Sequence, residues 1–344
     1  MIRKKKKVLL FVAGLLLCIL AFIGYSMYKC FYAPNVKIGK TDFLYIPTGS
    51  NIEDVFNLLE TKKIVANIKT FKRAAKFLKY SKVKSGRYKI VNGMSNKSLI
   101  SMLRLGNQTA MRITFSGNIR SNNKIASIAS RYIETDSVSI LQALNDNNFL
   151  AKFGFDSRTV IGMFIPNTYD IYWNSSADAF IERMYREYEK FWNDNRKSKL
   201  QQIGLTQGEV ATMASIVDEE TNAAAEMPTI AGVYMNRIRS GMLLQADPTV
   251  KFALGDFSIR RVLNRHIDYD SPYNTYKYKG LPPSPICMPS IAAIDAVLNY
   301  EHHDYYYFCA KDDFSGRQSF AKTLPQHNLN AQAYQKALNS RNIR

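Results

Sequence analysis

Three consecutive carboxylates close the stretch ASIVDEETN, residues 214–222. A carboxyl aimed into a cleft can protonate a leaving oxygen, whereas a row of acids on a helix is ordinarily a solvated face. Thr206 and Glu209 form a T-x-x-E capping box ahead of the apolar run, so the stretch reads as the end of a helix. Turning ~100° per residue from Met213, Val210 falls at ~60°, Ile216 at ~300°, Val217 at ~40° and Glu220 at ~340°. Asp218 at ~140° and Glu219 at ~240° lie off that apolar stripe and read as helix surface. Glu220 is then the acid facing the interior or a cleft, where desolvation raises its pKa and lets it hold a proton near neutral pH. The competing reading puts Glu220 past the end of its helix, as a cap.

The elements that must position this acid are punctuated clearly. A second helix is predicted to start with Pro228 in its first turn and to stop near Gly241. Asp247-Pro248-Thr249 opens a third that Gly255 closes, and Ser290 caps a fourth to about Asn299. Between them runs a Pro-rich loop, YNTYKYKGLPPSPI (273–286), and DYYYF (304–308) and RQSFAK (317–322) read as strands. Upstream, GMFIPNTYDIYW (162–173) suits a loop at a groove wall, with Tyr169, Tyr172 and Trp173 either stacking on a sugar face or packing in a core. A compact β-α-α-β pattern precedes it: strand 42–47, a helix from Ser50 or Asn51 to Glu60, and a helix marked by Phe71, Ala74, Ala75 and Leu78. The strand 86–91, entered through Gly86, completes it, and a helix capped by Ser95 follows.

The formal net charge of +19 is concentrated. No Asp or Glu occurs between Glu60 and Glu134, an interval with seventeen Lys or Arg, and five more stand at residues 3–7. Residues 8–28 are uncharged and long enough to span a bilayer core of roughly 30 Å. Arg3 to Lys7 predict a cytoplasmic N-terminus and an extracytoplasmic remainder. Gly24 and Ser26 suit a signal-peptide cleavage site, but the apolar run exceeds a usual signal core, which favours a retained single-pass anchor in the plasma membrane. The basic interval then lies outside the cytoplasm, which excludes nucleic acid as its partner and points to anionic lipid headgroups, anionic wall material or a protein. The four Cys and four His show no metal spacing. Cys287 and Cys309 read as a disulfide or as two separate thiols.

The motifs ASIVDEET, NRIRSGMLLQADPT, YNTYKYKGLPPSPI and YYYFCAKDD, in this order, resemble the endolytic murein transglycosylases of the YceG-like (MltG) type, and the resemblance covers nearly the whole chain. It implies an α+β chain with a tip at 1–7, a transmembrane helix at 8–28 and a LysM-like subdomain at 42–108. A middle segment at 109–200 and a catalytic domain at 201–344 complete that division. It implies cleavage within peptidoglycan glycan strands, leaving 1,6-anhydro ends, with no metal or cofactor. It also implies association with glycan polymerases of the penicillin-binding type. The family's catalytic acid, the one directly before Thr, is here Glu220. Gln245, Asp247, Tyr273, Asn274 and Tyr276 are the candidate substrate contacts, although N-capping before Pro248 explains Asp247 equally well, and Asn236 and Arg237 hold the second helix in place. The chain departs from the family pattern at Asp218 (often Glu), Ser284 (usually Gly), Gln318 (commonly His) and Ile161 (Glu in many members). A hydrolase with Asp247 or Asp268 as second carboxylate, and a non-catalytic wall-binding scaffold, are the alternatives.

Overall fold

The computed structural model describes residues 2–117 and 119–341, and side chains from Lys5 onward. Of the tip read at 1–7, Met1 and the side chains of 2–4 therefore lie outside the described residues, as do residues 342–344 of the C-terminal segment. Among the described residues the architecture is mixed α/β, with helices dominating and three two-stranded sheets. The chain divides into two compact units, one formed by Met1–Arg112, Tyr132–Glu134 and Asp170–Ser175, the other by Ile113–Arg131, Thr135–Tyr169 and Ser176–Arg344.

The first unit begins with α1 (Ile2–Phe31), whose span Lys5–Phe31 is long and apolar enough to cross a membrane; its apolar stretch is exposed, and only its last residues, Cys30 and Phe31, are buried. Strands β1 (Asp42–Ile46) and β2 (Gly86–Ile90) pair antiparallel with Leu44 opposite Tyr88. Helices α2 (Ile52–Thr61), α3 (Ile68–Phe77) and α4 (Asn96–Leu105) pack around them. The apolar periodicity becomes the core directly: Leu44, Ile46, Val55, Leu59, Phe71, Ala74, Tyr88, Leu99 and Leu103 are fully buried. Asn51, not Ser50, caps α2, in a reciprocal box with Asp54. Gly86 sits at φ 142°, a conformation L side chains rarely adopt, with the Gln108 side chain over its Cα. Trp173 belongs to this unit, its ring edge-on to Tyr45 at 5.1 Å.

Strands β3 (Met111–Phe115) and β4 (Asn167–Ile171) pair with each other. The loop expected around Asn167 is thus a strand, and Tyr169 is core, its hydroxyl donating to Ile165 O at 2.5 Å. Helices α5 (Asn122–Ala129), α6 (Ser137–Asn145), α7 (Asn147–Leu150), α8 (Ala177–Phe191) and α9 (Asp194–Ile203) lead to the helix that carries the acids. That helix, α10 (Gln207–Glu220), packs against α11 (Met227–Arg239) and α14 (Ile291–Leu298). Every residue of α10 from Val210 to Val217 is buried, so it is a central helix without the polar outer face that a single apolar stripe implies. The short helix α12 (Asp247–Leu254), against which α13 (Asn264–Ile267) packs, and the hairpin β5 (Tyr307–Ala310)–β6 (Gln318–Ala321) border its C-terminal end. The first hairpin strand starts three residues later than the aromatic run suggests, because the carbonyls of Tyr305 and Tyr306 are taken by Asn236 and Arg237 of α11. Helix α15 (Leu324–Ser340), capped by Thr323, buries no residue fully and has no strong apolar stripe to announce it.

Candidate active site

Helix α10 starts at the Thr206–Glu209 box and stops at Glu220, because Thr221 is extended (φ −150°, ψ 143°). The three acids therefore emerge together from a buried helix, and each meets a different neighbour. Asp218 accepts from the backbone N–H and hydroxyl of Ser290 at 3.0 and 2.6 Å, fixing the start of α14. Glu219 pairs with Arg120 at 2.7 Å, both side chains mostly enclosed, and the Arg120 guanidinium lies over Phe257. Neither is the solvated surface residue that the helical wheel suggests, since tertiary neighbours cover both flanks of the helix end.

Glu220 accepts a 2.6 Å hydrogen bond at Oε1 from the Tyr234 hydroxyl of α11. The residue keeps partial exposure toward a cavity, yet its carboxyl is closely packed, and this loss of water raises its pKa to about 7. The negative charge of Asp247 adds to the rise, while the Tyr234 hydrogen bond and the positive Lys251 and Arg237 oppose it. Burial, followed by the adjacent Glu220, pushes Tyr234 well above the ordinary phenol range, so it remains a donor. Arg237, one turn further along α11, donates to Tyr306 O and Leu244 O at 2.7 Å and more weakly to Gln245 Oε1 at 3.3 Å. Burial lowers its pKa.

The cavity has a volume of about 310 Å³ and joins Glu220, Tyr234, Arg237, Gln245, Asp247 and Tyr276 to the hairpin residues Phe308, Cys309 and Gln318. Glu220 also lines a second cavity of about 550 Å³, bounded by Asp218 to Ala223 with Ser315 and Gly316.

The other candidate residues separate by burial. Asp247 is the first residue of α12; Ala246 precedes it as the boundary residue, and the Asp247 carboxylate accepts from the Tyr276 hydroxyl at 2.5 Å. It does not cap its helix. Gln245 takes a left-handed backbone (φ 52°), held by its N–H to Thr275 O. Beneath both, the buried hydroxyls of Thr249 and Thr275 bond at 2.8 Å and tie α12 to the Pro-rich loop. Asn274 is fully buried and donates to Ile267 O and Tyr269 O, both at 2.7 Å, so its amide serves the loop. Tyr273 turns away, bonding Ser284 at 2.6 Å and lining a different cavity with Arg120 and Ile161. Cys287 and Cys309 are free thiols, and among the described residues no group of three His, Cys, Asp or Glu could hold a metal. Sequence reasoning missed Tyr234, a tyrosine inside an apolar helical run that reads as core, and passed over Phe308 and Cys309.

The YceG-like family model matches residues 44–333. An endolytic murein transglycosylase of Bacillus subtilis (strain 168) is 28% identical over 335 residues, covering 91% of this chain and 90% of its own length. One from Streptococcus pneumoniae R6 is 26% identical over 322 residues, and the match covers 83% of this chain but 57% of that protein. A crystal structure of a yceG-like protein from Listeria monocytogenes, 27% identical, superposes with a TM-score of 0.55 over 84% of this chain and 99% of its own. With the family's pattern matching from the first strand into the last helix, the chain belongs to the YceG-like family.

Proposed function

We propose that the protein is a membrane-anchored endolytic transglycosylase that cleaves the bond between N-acetylmuramic acid and N-acetylglucosamine within peptidoglycan strands. One observation carries this reading: a single carboxyl, Glu220, held protonatable near pH 7 and lining two open cavities. Ordinary glycosidases need a second carboxylate to activate water or to attack C1. A transglycosylase replaces it with the substrate's own C6 hydroxyl. Glu220 gives its proton to the glycosidic oxygen as the C1–O bond breaks. The resulting carboxylate then takes the C6-OH proton as that oxygen bonds to C1, which closes a 1,6-anhydro ring and restores the acid. Intramolecular attack supplies a proximity gain of several kcal/mol. Because Tyr234 donates to Oε1, the transferable proton resides on Oε2. Gln245, Asp247 and Tyr276 serve as substrate contacts. Asn274 and Tyr273 shape the loop behind them.

The two cavities that Glu220 lines give room for glycan at the acid. Residues 3–7 stay cytoplasmic, α1 crosses the membrane and the rest acts outside it, with residues 42–108 as a LysM-like subdomain. Association with glycan polymerases rests on the family resemblance alone. A muramidase-type hydrolysis is the second reading, supported by Asp247 in the same cavity as Glu220. Mass spectrometry of digested peptidoglycan decides: anhydro ends are lighter than reducing ends by one water. Anhydro products formed equally by wild type and Glu220→Gln would refute the role of Glu220.

A further inference from the structure

The last turn of α1 is not a flexible tether but part of the first unit's core. Cys30 and Phe31 are buried. The carbonyl of Cys30 accepts from the buried Asn96 side chain of α4 at 2.9 Å, and Asn96 in turn accepts from Asn35 at 2.7 Å. Phe31 meets Phe77, the last residue of α3, at 5.1 Å. The uncharged run ends at Tyr28 and the next charge is Lys29, so this junction lies at the depth where a spanning helix leaves the hydrocarbon.

Around the junction the surface is cationic and aromatic. Lys69, Arg73 and Phe77, four residues apart, form one ladder along α3, and all three are exposed, Phe77 at 65%. Lys76 flanks the ladder, and Lys97 at the start of α4 lies over the exposed Tyr32. Among the described residues, none of Lys69, Arg73, Lys76 and Lys97 has a carboxylate within ion-pair distance; on α3 it is Lys72, off this ladder, that meets Glu53. An exposed Phe between unpaired cations is poorly suited to water but well suited to a headgroup layer, where the ring inserts and the cations meet phosphates.

We infer that this face of the first unit, Lys69, Arg73, Lys76, Phe77 and Lys97 around the end of α1, is a collar that binds anionic phospholipid headgroups. The inference rests on α1 spanning the membrane. A lipid surface fits better than a soluble wall polymer because the cations share their face with Phe77 and adjoin the spanning helix.

The test is amide exchange of the full chain in nanodiscs of phosphatidylcholine, compared with an equimolar mixture with phosphatidylglycerol. Exchange across residues 68–78 should slow roughly fivefold in the anionic bilayer, and high salt should shrink the difference. Lys69→Ser/Arg73→Ser/Lys76→Ser should abolish it while the β1–β2 pairing stays protected. Equal exchange in the two bilayers, with α1 protected in both, would overturn the collar alone. An unprotected α1 would overturn the anchor as well. Slowing that appears only after a soluble anionic polymer is added would overturn the lipid assignment.

Discussion

Tyr234 and Glu220, on the packed helices α11 and α10, share a 2.6 Å hydrogen bond in which the phenol donates to one carboxylate oxygen. Hydrogen bonding to the charged form lowers an acid's pKa, while burial raises it, and here burial wins. The balance leaves Glu220 protonated over the range in which a general acid is useful.

The first expectation is a pH profile. Glycan cleavage should fall with rising pH as Glu220 ionises, with a midpoint near the pKa of about 7. Glu220→Gln should remove roughly 10²–10⁴-fold of the rate and leave the residual rate without this limb. Initial rates on isolated peptidoglycan between pH 5 and 9 check both; a wild-type rate that is flat across pH 7 would contradict the assignment.

Tyr234→Phe isolates the donor. Without it the carboxylate loses a stabilising bond, so the Glu220 pKa should rise and the alkaline limb should move to higher pH. The maximal rate should drop roughly tenfold, because the phenol also fixes which oxygen carries the proton. A rate loss with an unmoved limb would mean that Tyr234 serves packing alone.

Stability should respond to the same carboxyl. The folded-state pKa is raised from 4.5 to about 7, so the folded protein binds more protons than the unfolded chain between those values. Below pH 4.5 both states are protonated and Glu220 costs nothing. From there to about pH 7 the unfolded chain gains by ionising and stability declines, then levels off. Glu220→Gln should therefore gain on wild type by up to about 3 kcal/mol between pH 4.5 and 8. Trp192, buried in the same unit, reports the transition by fluorescence.

Asn274→Ala should act through the fold. It strands the carbonyls of Ile267 and Tyr269 and frees the N–H of Tyr276. The expected loss is about 2–3 kcal/mol in thermal or denaturant unfolding. An unchanged melting temperature with weakened glycan binding would instead make Asn274 a direct contact.

Much of this molecule was legible before folding was considered. The caps at Asn51, Ser95, Thr206 and Ser290, the glycine stop at Gly255 and the membrane-length helix all follow from groups within a few residues of one another. The roles of the three acids were not local. The helical wheel nominated Glu220 by assuming one apolar face, and α10 is buried on every side through Val217. Asp218, Glu219 and Glu220 are told apart by Ser290, Arg120 and Tyr234, which lie 72, 99 and 14 residues away. Asp247 likewise meets Tyr276, 29 residues on, instead of capping its own helix. Sequence alone determined where the helices with a clear cap or glycine stop begin or end, because caps and apolar periods involve backbone and side chains already adjacent; α15, with neither a buried face nor an apolar stripe, was not among them. The tertiary structure decided which carboxyl is paired, which supports a neighbouring helix and which faces the cleft, because desolvation and hydrogen-bond partners exist only once distant segments close around it.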